Sequence, residues 1–211
     1  MNTETIVISL GGSLIIPEEI DTAFLRDFKT LILAEVGKGK KFLMITGGGK
    51  VCRKYQNAAK EISDPSNEEL DMLGIKALNL NAELVKILFK DMDAVSIYGA
   101  EKPGSSTDLG AILLAKNNNA KTVINLSNID YAYDSDPKIN TDAKPITSTT
   151  WAEYRKLIPA EWNPGLNSPF DPIASKEAQD LNIKVIIMNG KNLNNLEAFF
   201  EGKDFIGTTI S

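Results

Sequence analysis

The sequence predicts an α/β fold, a three-layer α-β-α sandwich around a largely parallel central sheet. Three observations predict it. Short apolar runs alternate with longer segments of helical spacing along the 211 residues, the pattern of parallel strands joined by crossover helices. Two early apolar runs end in glycines and feed a helix-like stretch: Ile6 to Leu10 before Gly11-Gly12-Ser13, and Phe42 to Thr46 before Gly47-Gly48-Gly49-Lys50. A chain of this length also fits one such domain and buries roughly 70% of its unfolded surface, so it needs no disulfide or metal to fold.

Strands are expected at 5–10, 41–46, 93–98, 121–126, 184–189 and 205–210. A helix over 18–36 places Phe24, Leu25, Phe28, Leu31 and Ile32 on one stripe, as an amphipathic helix requires. Over 50–62 the stripe is Val51, Tyr55, Ala58, Ala59 and Ile62. A long helix over 68–89 carries Leu70, Leu73, Leu80, Leu84, Ile87 and Leu88. That is more apolar length than one sheet face needs, so part of it is expected to meet a partner subunit. Helices over 107–116, 171–181 and 193–200 complete the set. The stretches 127–149 and 159–169, rich in Asp, Asn, Ser and Pro, break the rhythm. Loops this long in a compact domain are often functional.

Composition removes several function classes. The net charge is −5, and no basic run exceeds Lys40-Lys41, so no nucleic-acid partner is expected. With no histidine, His-based triads, His general bases and the common zinc sites are excluded. The lone cysteine, Cys52, permits no internal disulfide, which favours a reducing compartment. No apolar run approaches the ~20 residues that span a bilayer, and Met1 to Glu4 lacks a basic, signal-like start. The expectation is a soluble, cytoplasmic protein with no membrane partner.

A strand that ends in glycines and feeds a helix leaves backbone N–H groups pointing one way, at the positive end of the helix dipole. Two such turns on parallel strands open on the same edge and suit two phosphate-bearing ligands held face to face. A phosphotransferase, whose catalysis is mostly positioning and charge stabilisation, is the first hypothesis. Gly47-Gly48-Gly49-Lys50 is no Walker A loop, because Val51 stands where a Ser or Thr would bind magnesium. The plainer reading is a tight turn needing positive φ. Arg53 sits one helical turn past Lys50, placed for bidentate phosphate contact or simply solvated. Gly104-Ser105-Ser106-Thr107-Asp108 can cap the following helix or bind a phosphate at its N-terminus. The segment from Ser127 to Pro137 lies just past a strand, where open α/β sheets bind ligands, or is an ordinary polar loop. Asp171-Pro172 reads as a helix start, with Lys176 a charge clamp if the site is functional.

In this order the segments resemble the amino-acid-kinase family, and within it the archaeal-type UMP kinases. The resemblance covers nearly the whole chain. It rests on Val7 to Leu14, on Gly47-Gly48-Gly49-Lys50 with Arg53-Lys54-Tyr55, on Asp71 with Gly74, and on Pro103 to Asp108. Ser127-Asn128 with Asp130, Tyr133 and Asp136-Pro137, Asp171-Pro172 with Ala174 and Lys176, and the closing Gly207-Thr208-Thr209-Ile210 complete it. The resemblance implies an amino-acid-kinase-like fold in one domain over 1–211, its acceptor-binding half over about 1–118 and its ATP-binding half over about 119–211. It implies that UMP is bound by Gly48, Asp71, Lys102, Pro103, Gly104, Ser105, Ser106 and Thr107. ATP is implied at Gly11, Gly12, Ser13, Gly49, Arg53, Ser127, Asn128, Tyr133 and Asp136. Catalytic roles fall to Arg53, Lys50, Asp171 and Lys176. The implied cofactors are ATP and Mg²⁺, with no protein metal ligand, and the implied assembly is a homo-oligomer, a hexamer in this group.

Three departures from the pattern stand out. Ser9 replaces the Lys that many family members carry, as it often is in the archaeal-type group. Tyr131 stands where the family usually has Gly, at a position where positive φ would be strained. The stretch between Phe89 and Gly104 is short, where the family usually has an added strand and helix. Two alternatives stay open at this level: a kinase of the same family for another small acceptor (a carboxylate or an alkyl phosphate), or a non-catalytic nucleotide-binding regulator.

Overall fold

The computed structural model describes residues 4–100, 102, 106–161 and 168–211. In chain order the elements are β1 (Thr5–Leu10), α1 (Gly12–Ile15), α2 (Thr22–Gly37), β2 (Lys41–Thr46), α3 (Gly49–Ile62), α4 (Asn67–Leu88) and β3 (Val95–Tyr98). There follow α5 (Thr107–Asn117), β4 (Thr122–Ser127), β5 (Ala132–Tyr133), β6 (Pro145–Ile146), β7 (Ser148–Thr149) and α6 (Trp151–Leu157). The chain closes with α7 (Pro172–Asp180), β8 (Lys184–Asn189), α8 (Leu193–Phe200) and β9 (Thr208–Ile210).

The main sheet has seven strands in the order β3-β2-β1-β4-β8-β9-β7. From β3 to β8 every pairing is parallel, as crossover helices dictate. β9 turns back, antiparallel to β8, and β7 runs parallel to β9, so these two strands oppose the other five. Both faces are covered, which is why the central strands are continuous apolar runs rather than alternating ones. One face packs Ile6, Ile8, Phe42, Met44 and Ile124 under α1, α2, α4 and α8. The other packs Val7, Leu43, Val123, Val185 and Ile187 under α5, α6 and α7. The expected three-layer sandwich is therefore present.

Several boundaries differ from the sequence expectation. The helix foreseen from 18 begins at Thr22, because the Asp21 side chain accepts the Phe24 N–H at 2.9 Å and caps it there. The strand foreseen over 205–210 is only Thr208–Ile210. Within 127–149, read as loop, lie β5, β6 and β7, and α6 follows unforeseen. These short elements carry too few residues for periodicity to register. The apolar stripe of α3 faces no core: none of its residues is buried, and Tyr55 and Ile62 are exposed. On α4, Leu80 and Ile87 are likewise exposed. No helix among the described residues is long and apolar enough to cross a membrane.

Candidate functional site

From β1 the chain moves outward to β2 and β3, and then returns across α5 to place β4 on the other side of β1. The strand order reverses between β1 and β4, and ligands of open α/β sheets bind at the carboxyl ends of the strands at such a point. The two glycine turns meet there. The Gly11 N–H donates to the Leu126 carbonyl at 2.9 Å and the Gly47 N–H to the Leu10 carbonyl at 2.9 Å. A Cβ on Gly12 would lie 2.3 Å from the Gly49 nitrogen and 2.5 Å from the Gly47 oxygen. The glycines are thus required by backbone-to-backbone contact between the turns. Positive φ, the reason the sequence offers, applies to Gly49 (φ 63°), while Gly48 has φ −80°.

The helices that leave these turns differ from the rest. A side chain caps α2, α4, α5, α6, α7 and α8. Gly11 and Gly48 stand at the N-termini of α1 and α3 and provide no side-chain cap. The first N–H groups of both helices are left for another acceptor, and an anion is the natural one. Gly11, Gly12, Ser13, Gly48 and Gly49 all belong to this paired arrangement, and the Ser127 Cα lies 3.6 Å from where a Gly11 Cβ would sit. A buried Asn81 amide on α4 donates to the Gly47 carbonyl at 2.8 Å and holds the second turn in place.

Lys50 and Arg53 lie on the first turns of α3, both exposed. Lys50 is paired with Glu18 from the loop before α2, and Lys54 approaches the same carboxylate at 3.9 Å. The hydrogen bond and charge of Lys50 hold the Glu18 carboxyl below its ordinary value. Asp71, half-buried on α4, lies near Cys52. The Cys52 Cβ is 2.7 Å from where a Cβ on Gly48 would fall. The second turn, Cys52 and the start of α4 thus form one wall.

Lys102 is exposed; Pro103, Gly104 and Ser105 lie outside the described residues. Ser106 caps α5 through the Leu109 N–H at 3.0 Å and donates to Asp171, with Thr107 next to it as the first helical residue. Asp171 caps α7 as expected, accepting the Ile173 and Ala174 N–H groups at 2.8 and 2.9 Å. Lys176 is exposed on α7. Asn128 is exposed beyond β4, while Tyr133 lies in β5 of the separate two-stranded sheet. Asp136, in the turn of that hairpin, accepts the Lys138 N–H at 2.9 Å.

Sequence reasoning named Asp108 only as part of the segment before α5, with no partner for it, and missed Asn125. Asp108 accepts the Asp171 N–H at 3.1 Å and the Asn125 amide at 3.3 Å, and Asn125 also reaches the Pro169 carbonyl at 3.1 Å. Burial and the adjacent charge of Asp171 push the Asp108 carboxyl up to about 7. A polar residue inside an apolar run, as Asn125 is in β4 and Asn81 in α4, was the available signal, since a buried amide must have partners. Tyr131 takes no positive φ, so its side chain carries no backbone strain of that kind. Positive φ outside glycine is confined, among the described residues, to Asp91, Asn119 and Asn182. Between α4 and α5 the described residues hold one strand, β3, and no added helix.

The arrangement can hold two phosphate groups side by side with their negative charge toward uncapped helix ends. Comparison with known proteins shows what the chain is similar to. The model of the amino acid kinase family matches residues 94–189. The chain is 32% identical to a uridylate kinase of Thermoplasma volcanium, covering 98% of this chain and 97% of that protein. It is 30% identical to one of Sulfurisphaera tokodaii, covering 97% and 98%. The crystal structure of the Archaeoglobus fulgidus uridylate kinase superposes with a TM-score of 0.82 at 28% identity, covering 98% of this chain and 99% of that one. With a uridylate kinase matched at 32% identity along almost its full length, the chain belongs to the amino acid kinase family.

Proposed function

We propose that this chain transfers the terminal phosphoryl group of ATP to UMP, giving ADP and UDP. The observation that carries the reading is the contact of two glycine turns at the switch point, each leading into a helix without a side-chain cap. One turn serves each phosphate chain. The acceptor occupies the half over about 1–118, toward Gly48, Asp71, Lys102, Ser106 and Thr107. ATP occupies the half over about 119–211 together with the first turn, from Gly11 to Ser13, and the end of β4. Arg53 and Lys50 from α3 and Lys176 from α7 neutralise the equatorial oxygens as charge spreads over the transferring group. No general base is required, because the acceptor oxygen already belongs to an anionic phosphate.

Mg²⁺ would come bound to the phosphates of ATP, with the rest of its shell water, and would supply neutralisation of the phosphate charge, with Arg53, Lys50 and Lys176 beside it. No group of three or more His, Cys, Asp or Glu side chains gathers into a metal cluster among the described residues. A reducing, cytoplasmic setting suits a chain with one cysteine. The apolar faces of α3 and α4, with Tyr55, Ile62, Leu80 and Ile87 exposed, support assembly into a homo-oligomer through these helices. A light-scattering mass of one chain at micromolar concentration would refute the assembly.

The test is ADP release from Mg·ATP with UMP, CMP, dUMP, isopentenyl phosphate, acetylglutamate and carbamate as acceptors. Turnover selective for UMP is expected, and selective turnover of another acceptor overturns the assignment. Arg53→Ala should lower kcat/KM at least tenfold, since an arginine aimed at transition-state charge contributes ~10³ or more. Because Arg53 is exposed, the melting temperature should stay unchanged.

A further inference from the structure

The closing segment Gly207-Thr208-Thr209-Ile210 has no part in the mechanism above, yet Thr208 is fully buried. Its Oγ1 accepts the Ala132 N–H at 2.8 Å and donates to the Ile146 carbonyl. Ala132 and Ile146 are the register partners of the β5–β6 hairpin. One hydroxyl therefore satisfies a donor on one hairpin strand and an acceptor on the other. Thr208 itself is anchored in the main sheet, in register with Ile187 of β8. A Cβ on Gly207 would lie 2.7 Å from the Ile187 carbonyl, so the chain enters β9 too close to β8 for a side chain. The hairpin carries Tyr133 and, in its turn, Asp136.

We propose that Thr208 is a positioning residue for the phosphoryl donor: its hydroxyl clasps the β5–β6 hairpin to the main sheet and so sets the place of the nucleotide-facing loop. The inference rests on the reading of Tyr133 and Asp136 as donor-side residues. A hydroxyl is the group this position demands, because only a side chain that both donates and accepts meets the two backbone groups at once. Val has the same shape and neither capacity, and would leave a buried N–H and a buried carbonyl unpaired. Among the described residues the acceptor-side wall of α3, α4 and the start of α5 makes no hydrogen bond to Thr208, so the effect is expected on the donor side.

The experiment compares Thr208→Val and Thr208→Ser with the unaltered protein. Thr208→Val, which removes both of these bonds, is expected to raise KM for ATP at least about tenfold, equivalent to roughly 1.4 kcal/mol, while KM for UMP stays within about twofold. Thr208→Ser, which keeps the hydroxyl, is expected to restore KM for ATP. A second readout needs no turnover. Trypsin should nick the exposed hairpin loop after Lys138 faster in Thr208→Val than in Thr208→Ser. If the Val variant does not fold, Thr208→Ala against Thr208→Ser makes the same comparison. Equal rises in both KM values, or unchanged KM for ATP and unchanged nicking, overturn the proposal. If the unaltered protein turns over no nucleotide, the kinase reading fails. The nicking rates then still decide whether Thr208 holds the hairpin.

Discussion

Gly12 lies at the closest approach in the site, and replacing it with Ala tests whether contact between the two turns matters. The added Cβ would sit 2.3 Å from the Gly49 nitrogen, 2.5 Å from the Gly47 oxygen and 2.7 Å from the Gly47 carbon. All three are backbone atoms, so no side-chain rotation relieves the clash. Restoring an ordinary separation of about 3.5 Å requires the turns to part by about 1 Å. Overpacking of this kind costs about 1–3 kcal/mol. At about 2–4 °C per kcal/mol for a chain of this size, the melting temperature should fall by about 2–12 °C. A displacement of 1 Å between reacting groups costs roughly 10²-fold in rate, so kcat/KM for UMP and ATP should drop about a hundredfold. Gly37→Ala is the control. A Cβ there meets nothing within 4 Å, and the change should be neutral or stabilise by up to about 1 kcal/mol. The assays are a thermal melt and steady-state ADP release. If Gly12→Ala keeps kcat/KM within threefold of the unaltered enzyme, contact between the paired turns does not align the two phosphates.

Two further outcomes follow from buried polar groups. Asn81→Leu deprives the Gly47 carbonyl of its 2.8 Å bond. It should lower stability by about 1–3 kcal/mol in a urea titration, with a rise in KM because the second turn loses its brace. The Asp108 carboxyl has a folded value raised from 3.8 to about 7, so the stability it contributes is full below the ordinary carboxylate range and is lost as pH rises through about 7. Asp108→Asn lacks this dependence. Urea titrations should therefore show the variant gaining on the unaltered protein as pH rises from about 4 to about 7, then holding level. A constant difference across that range would show that Asp108 does not take up a proton on folding.

Much of the site was legible in the order of its segments. The glycine turns, the Ser106 cap and the Asp171 cap are local features. Each is decided within a few residues by where backbone N–H groups need an acceptor. Glu18, Asn81, Asp108, Asn125 and Thr208 were not legible as partners. Lys50 lies 32 residues from Glu18, Asn81 lies 34 from Gly47, and Thr208 lies 76 from Ala132, so no periodicity links them.

What the sequence by itself determined was the alternation of strand and helix, the crossovers that follow from it, and the edge on which the glycine turns open. Parallel strands joined by right-handed crossovers leave little choice in these. Tertiary structure alone decided that the two turns touch backbone to backbone, that Asp108 and Asp171 share one pocket, and that β9 turns back to bring Thr208 to the hairpin. These depend on which distant segments the packing of the two apolar faces brings together, and a single chain position carries no record of its neighbour across the sheet.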